Sequence, residues 1–432
     1  MAHLPSEFTE STRQLMGAER FERYLQSFEE ATPVSIRLNP RKMADGRWKM
    51  EDVERVPWCR NGYYLKQRPN FTFDPLLHAG CYYVQEASSM FLDEILRQST
   101  QRGRFSLCTS DGADGKSTQK EPSPLCTLDM CAAPGGKSTL LRAALPEDCV
   151  LYSNEPIHNR ANILLENVTK WGYGNHIVTN CYPRDYRKAK MKFDLILCDV
   201  PCSGEGMFRK DEATIREWSP QQVEKCWQLQ REIVSDAWQC LNDGGIMIYS
   251  TCTFNTKENE ENIRWILAEY DAEVIEIETK PEWNITGSLL EGFTEPVYRF
   301  IPGISRGEGL FICALRKRGK RSEVRGKRDC PRDLHPLKAE PIEGNLPQVE
   351  LTYQQAMAYL RGEALVLPAD TPRGMVDVVF MGHTLGQMKN IGSRANNLYP
   401  KPWRIKTTHI PNDYETILRH TEPHPDGGNP EG

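Results

Sequence analysis

The chain has 432 residues, of which 39% are hydrophobic and 26% charged, and its formal net charge is −5. That is the make-up of a globular protein with two or three domains, at roughly 100–200 residues each, and the net charge excludes a whole-molecule field that attracts nucleic acid. No apolar run approaches the roughly 18 residues of a membrane span, and the first residues show neither a basic nor an apolar leader, so a cytosolic location is expected.

Residues 1 to about 75 mix amphipathic helical pieces with strand-like ones such as 33–38, and read as an ordered N-terminal extension. Residues 82–96 carry a helical pattern through Met90, Phe91, Leu92, Ile95 and Leu96. Residues 98–124 turn polar and carry few apolar anchors, which predicts a mobile surface insertion.

From residue 125 strands and helices alternate. Strands are expected at 125–130, 150–154, 176–180, 193–198 and 246–250, with helices from Lys137, over 157–170 and over about 220–241. Gly244-Gly245 is expected to end the long helix, and Asn255 with Glu258 to form a capping box opening the next one. Alternation of this kind predicts a doubly wound α/β sheet. Segments 273–277 and 309–315 would add an antiparallel edge.

A basic run follows, from Arg316-Lys317-Arg318 through Arg325, Lys327 and Arg328, and merges into Pro- and charge-rich sequence up to about 348. It reads equally as a solvated linker or as a phosphate-binding patch. The last compact segment starts with a helix at 353–360, has a strand at 375–381 and ends near 408, with a disordered tail beyond.

The fourteen cysteines include no C-x-x-C pair, so neither a structural zinc site nor any other metal site is expected. Most read as small buried hydrophobes. Two stand apart. Cys202 in Asp199-Val200-Pro201-Cys202 and Cys252 in Ser250-Thr251-Cys252-Thr253 each follow a strand, and the carboxyl ends of strands in such a sheet line the ligand crevice.

A third motif is Asp129-Met130-Cys131-Ala132-Ala133-Pro134-Gly135-Gly136-Lys137-Ser138. Its small residues allow close approach of a ligand to a helix N-terminus. It is not a P-loop, because position 131 is Cys131 where that loop needs glycine, and no G-x-G-x-x-G is present. Glu155 lies about twenty residues beyond, where a carboxylate can accept hydrogen bonds from both ribose hydroxyls. Turn and acid together predict an adenosine-containing cofactor without a phosphate requirement.

Asp199 beside a thiol suits chemistry on a cytosine ring. Carbon 5 is inert until a nucleophile adds at carbon 6 while ring nitrogen 3 is hydrogen-bonded. Lys137, delivered from the neighbouring loop, would favour a thiolate. Taken singly, either cysteine is as well explained as a buried thiol at a strand end, and spacing does not say which of the two attacks.

These motifs resemble a known family. The strings at 130–138 (MCAAPGGKS), 199–206 (DVPCSGEG) and 249–254 (YSTCTF) are similar to signature blocks of the Sun/Nop RNA cytosine-5 methyltransferases. Residues 35–40 (SIRLNP), 80–90 (GCYYVQEASSM) and 307–315 (GEGLFICAL) resemble further blocks. The strings YLRGE (359–363) and NNLYPKPWR (396–404) resemble the PUA-like domain of bacterial 16S rRNA members.

The resemblance implies a Rossmann-like class I methyltransferase sheet with an α+β N-terminal extension and a small β-rich PUA-like domain. Its cofactor would be S-adenosylmethionine, held by Cys131, Ala132, Ala133, Pro134, Gly135, Gly136 and Lys137, by Glu155 at the ribose, and by Asp199. It also implies that Cys252 is the nucleophile and that Cys202 assists product release, with Asp199 and Lys137 completing the catalytic set. DNA cytosine-5 methyltransferases use their Pro-Cys cysteine instead, so this assignment comes from the family. The domains become an RNA-binding extension (1–96), the insertion (97–124), the methyltransferase domain (125–317), the linker (318–348), the PUA-like domain (349–410) and the tail (411–432).

The implied substrate is RNA, 16S rRNA or the small ribosomal subunit, acted on by a monomer in the cytoplasm. The same reaction on tRNA and a catalytically silent assembly factor are the alternatives. Where many members carry an aspartate near the adenine, this chain has Thr179-Asn180-Cys181-Tyr182-Pro183, which leaves Tyr182 as a stacking substitute. Lys389, Arg394, Lys401, Arg404 and Lys406 are expected either to guide the RNA backbone or to be ordinary surface charge, and Trp403 to be a packing residue.

Overall fold

The computed structural model describes residues 4–101, 125–319, 331, 334–337, 346–407, 409–411, 414 and 416–420. The N-terminal extension begins with helices α1 (Ser6–Met16) and α2 (Ala18–Gln26). Strands β1 (Val34–Leu38), β2 (Trp48–Lys49), β3 (Val53–Arg55), β4 (Gly62–Leu65) and β5 (Tyr82–Val84) follow, with α3 (Pro75–His78) inserted and α4 (Phe91–Gln101) at the end. A four-stranded sheet forms in the order β3-β4-β1-β5. The helical pattern of 82–96 therefore holds only from Phe91. Tyr82–Val84 is a strand because it pairs antiparallel with Ile36–Leu38, a partner no local periodicity reveals.

The central unit runs β6 (Cys126–Asp129), α5 (Gly136–Ala144), β7 (Val150–Asn154), α6 (His158–Trp171), β8 (His176–Thr179), α7 (Pro183–Lys188), β9 (Phe193–Asp199), α8 (Glu212–Glu217), α9 (Pro220–Cys240) and β10 (Leu241–Thr251). Then come α10 (Glu260–Glu269), β11 (Ala272–Val274), β12 (Tyr298–Phe300), β13 (Leu310–Lys317) and β14 (Pro336–Leu337). Among the described residues the sheet has nine strands, ordered β11-β13-β10-β9-β6-β7-β8-β14, with β12 on β13. Strands β6 to β10 are mutually parallel and β13 enters antiparallel, so the expected doubly wound sheet with an antiparallel edge is present. The order reverses beside β6, which opens a crevice at the carboxyl ends of β6 and β9.

Two local expectations change. The Gly244-Gly245 pair does not follow the long helix directly, which stops at Cys240. Instead the glycines occupy an irregularity between Leu241 and Ile246 within β10, where Gly244 takes φ +75°. Asn255 and Glu258 do bond each other, Glu258 N–H to Asn255 Oδ1 at 2.9 Å, but helix α10 opens later, behind Asn259.

The C-terminal unit comprises β15 (Gln348–Glu350), α11 (Tyr353–Arg361), β16 (Gly374–Phe380), β17 (His383–Asn390) and β18 (Ala395–Asn397) in one sheet, β15-β16-β17-β18, with α11 beside it. Its core is continuous with the N-terminal extension: Ile36, Leu76 and Tyr82 cluster with Met357, Leu385 and Leu418. Part of the tail expected to be disordered is thus held, since Leu418 is fully buried and β19 (Arg419–His420) pairs with Trp48–Lys49. Most of the insertion (102–124) and of the basic run (320–328) lies outside the described residues. No helix among the described residues is long and apolar enough to cross a membrane.

Arg37, in the SIRLNP string, joins the extension to the central unit. Fully buried, it donates from Nε to Gln85 Oε1 (2.7 Å) and from Nη2 to Thr139 Oγ1 (2.6 Å), and its guanidinium lies 4.5 Å from the Trp171 ring centroid. Burial lowers its pKa to about 10, so it stays charged. Asn39 Nδ2 adds bonds to the carbonyls of Gly80 and Trp171.

Candidate functional site

Residues 130–135 leave β6 as a turn in which side chains of α6 and β7 hold three of the carbonyls. Asn154 Nδ2 donates to Met130 O, Arg160 Nη2 to Ala133 O and Asn167 Nδ2 to Pro134 O, at 3.1, 3.1 and 2.8 Å. Gly135 caps α5 with φ +117°, a conformation L side chains resist, and a Cβ there would press on Leu164. This frame holds the start of α5, and with it Lys137, over the carboxyl end of the sheet.

Asp129 closes β6. Its Oδ2 accepts from Ser138 Oγ at 2.5 Å, while its buried Oδ1 has no protein partner. Burial raises its pKa to about 7. Glu155 is buried at the end of β7, where Oε1 accepts from Ile157 N–H (2.9 Å) and Oε2 faces Arg160 Nη1 (3.4 Å). An orphaned carboxylate oxygen, two further carboxylates at strand ends and a turn closed by glycine suit a cationic ligand bearing hydroxyls. S-adenosylmethionine has those properties.

Asp199 and Lys137 form an ion pair, Nζ to Oδ2 2.8 Å, and Ser250 Oγ donates to Asp199 Oδ1 at 2.7 Å. Burial opposes the Lys137 charge, but the Asp199 carboxylate outweighs it and holds the ammonium pKa above its ordinary value.

The sulfurs of Cys202 and Cys252 lie 3.3 Å apart, and the Cys252 N–H points at Cys202 Sγ at 3.3 Å. The two thiols titrate together. The hydrogen bond from Cys202 lowers the Cys252 pKa, burial and the Asp199 carboxylate oppose it, and the Lys137 ammonium offsets part of that opposition. The bond to Cys252 and burial push Cys202 well up. Neighbouring thiols at Cys131 and Cys198 are raised by burial. One thiolate is thus favoured in the crevice, on Cys252.

The structure therefore brings together the Cys131–Lys137 turn, Asp199, Cys202 and Cys252, with Glu155 at the next strand end. Tyr182 is half-exposed at the start of α7, beside Arg184, whose guanidinium is 5.0 Å from the ring centroid. Lys389, Arg394, Lys401 and Lys406 are exposed. Arg404 is not, because its side chain lies over Gly362 and bonds the Tyr399 carbonyl at 3.3 Å. Trp403 packs edge-on to Tyr399, with Lys170 Nζ 5.5 Å from its ring.

Motif reading missed Ser250, which holds Asp199, and the two buried acids Glu205 and Glu258. Glu258 was legible only as a helix cap. Glu205 lay within a quoted string but carried no spacing signal.

Three family models match the chain: the 16S rRNA methyltransferase RsmB/F over residues 119–316, the N-terminal domain of 16S rRNA methyltransferase RsmF over 4–87, and the methyltransferase RsmF PUA domain over 346–405. A ribosomal RNA small subunit methyltransferase F of Pectobacterium atrosepticum is 31% identical over 332 residues, and that of Cronobacter sakazakii 32% over 329. These cover 74% and 73% of this chain, which spans 63% of each relative's length. A methyltransferase homolog protein from Pyrococcus horikoshii has a similar structure, with 26% identity, a TM-score of 0.57 and coverage of 73% of this chain and 96% of that one. NSun6 from Pyrococcus horikoshii, solved with SFG, shares the fold at 19% identity and a TM-score of 0.56, over 74% of this chain and 100% of that one.

Proposed function

Since the chain belongs to the RsmB/F methyltransferase family, we propose that it forms 5-methylcytosine in RNA, with 16S rRNA as substrate. The observation that carries this reading is the pair Cys202–Cys252 beside the Lys137–Asp199 ion pair. The family models over all three parts of the chain and the names of the relatives support the rRNA assignment.

The target cytosine leaves its stack to reach the crevice. Cys252, the thiol favoured as thiolate, adds to carbon 6 as nitrogen 3 takes a proton from the Asp199 carboxyl, which draws one from the Lys137 ammonium across their 2.8 Å hydrogen bond. Asp129, Glu155 and the Cys131–Lys137 turn would hold S-adenosylmethionine, which when bound supplies the methyl group. Solvent water then takes the carbon-5 proton, the C5–C6 double bond re-forms and the Cys252 sulfur leaves as thiolate, with Cys202 at 3.3 Å placed to assist. Lys137 offsets negative charge on both Asp199 and Cys252.

Bisulfite sequencing of total RNA from cells with and without the gene tests the reading. A 16S rRNA cytosine that loses its methyl group supports it. Unchanged 16S rRNA with a lost tRNA methyl group would move the substrate, and no change in any RNA would reject the activity.

A further inference from the structure

Two buried carboxylates connect the loops that carry the cysteines, and each reaches across from its own loop to the other. Glu205 follows Cys202, but its Oε2 accepts the backbone N–H groups of Phe254 and Asn255, at 2.7 and 3.0 Å, on the Cys252 loop. Glu258 follows Cys252, but its Oε2 accepts the backbone N–H of Ser203 at 3.0 Å, on the Cys202 loop, and Gln230 Nε2 at 2.6 Å. Asn255 Nδ2 donates to both acids, at 3.1 Å to Glu205 and 2.7 Å to Glu258. Between them the loops touch residue for residue: Ser203 Oγ meets Thr253 Oγ1 at 2.8 Å, and Gly206 N–H donates to Cys252 O at 2.8 Å.

We propose that Glu205 and Glu258 are positioning residues whose crossed bonds hold Cys202 in hydrogen-bonding distance of Cys252, and so decide which sulfur carries the negative charge. Neither acid is placed to touch the base or the cofactor. Both are almost fully buried, at 2% and 0% exposure, and these bonds each bring them an N–H donor. Carboxylates so surrounded fix the position of the donors, here backbone groups within three residues of each sulfur. The Glu258 charge raises the pKa of both thiols, so the preference between them follows the hydrogen bond that the brace holds between the two sulfurs.

The inference deepens the proposed function but is testable without RNA. The full chain is alkylated with limiting iodoacetamide at neutral pH, and modification of Cys202 and Cys252 is followed by mass spectrometry. In the wild type, Cys252 reacts faster. Glu258→Gln and Glu205→Gln each place an amide against N–H donors and remove a charge, and each should cut the Cys252-to-Cys202 ratio by roughly tenfold, the scale of a lost hydrogen bond to a charged group. Asn255→Ala, which removes only the shared amide, should move the ratio the same way by less, and serves if the other two do not fold. A folded variant of either acid with the wild-type ratio, an unchanged ratio in Asn255→Ala, or faster reaction of Cys202 in the wild type would overturn the proposal. If the ratio shifts as expected but Cys202→Ala accumulates no adduct with RNA, the crossed brace stands and the covalent reading of the proposed function falls.

Discussion

Lys137 donates from Nζ to Asp199 Oδ2 at 2.8 Å, and of this ion pair the carboxylate raises the pKa of Cys252 while the ammonium lowers it. The hydrogen bond between the two sulfurs, 3.3 Å apart, lowers the Cys252 pKa and raises that of Cys202 before any substrate arrives. A turn after β6 and two strand ends remote in sequence produce this asymmetry.

The inequality predicts opposite outcomes for the two thiols. Cys252→Ala should form no covalent RNA adduct, whereas Cys202→Ala should accumulate one that survives denaturing electrophoresis. The reverse pattern would exchange the roles.

Removing the ammonium should separate its effect from that of the thiols. Lys137→Met takes away a charge that favours the Cys252 thiolate and frees the Asp199 carboxylate. Adduct formation at neutral pH should fall on the order of a hundredfold. The rising limb of its pH profile should move to higher pH, because the thiolate then forms at higher pH. A profile displaced to lower pH would contradict the charge assignment.

Behind the Cys252 loop, Arg299 and Glu260 form an ion pair with 1% and 0% of their side chains exposed. Arg299 Nη1 also donates to Phe254 O at 2.8 Å. Arg299→Met leaves the Glu260 charge buried without its partner and should cost about 3–5 kcal/mol in urea unfolding. Adding Glu260→Leu should recover much of that loss, since no charge then remains buried.

His176 is buried, accepts or donates one bond with Ser153 Oγ at 2.8 Å, and its pKa is lowered to about 3 by burial and then by Arg142. The folded protein keeps the ring neutral, while the unfolded chain protonates it below about pH 6.5. Its contribution to stability is full above that pH and is lost as pH falls toward about 3. Between pH 7.5 and 5, His176→Gln should therefore lose about 2 kcal/mol less stability than the wild type, as read from urea midpoints at the two pH values.

Much of the central unit was legible in the sequence because its strands are short buried apolar runs between helices of clear period. The Cys131–Lys137 turn, Asp199 and both cysteines were legible because each directly follows or ends such a strand. Tyr82–Val84 was misread as helix because its strand character comes from pairing with Ile36–Leu38. Leu418 was assigned to a disordered tail because its burial depends on a surface presented by Trp48 and Phe71, more than 300 residues earlier.

By itself, then, the sequence determined which chemistry-bearing residues stand at strand ends, because a strand is a local pattern and the crevice lies at strand ends in any doubly wound sheet. Only the tertiary structure decided how unequal the two cysteines are. That depends on a hydrogen bond between sulfurs 50 positions apart, on an ammonium from a third loop, and on two buried acids that cross between the cysteine loops. Desolvation and charge act through space, and neither leaves a periodic trace in the chain.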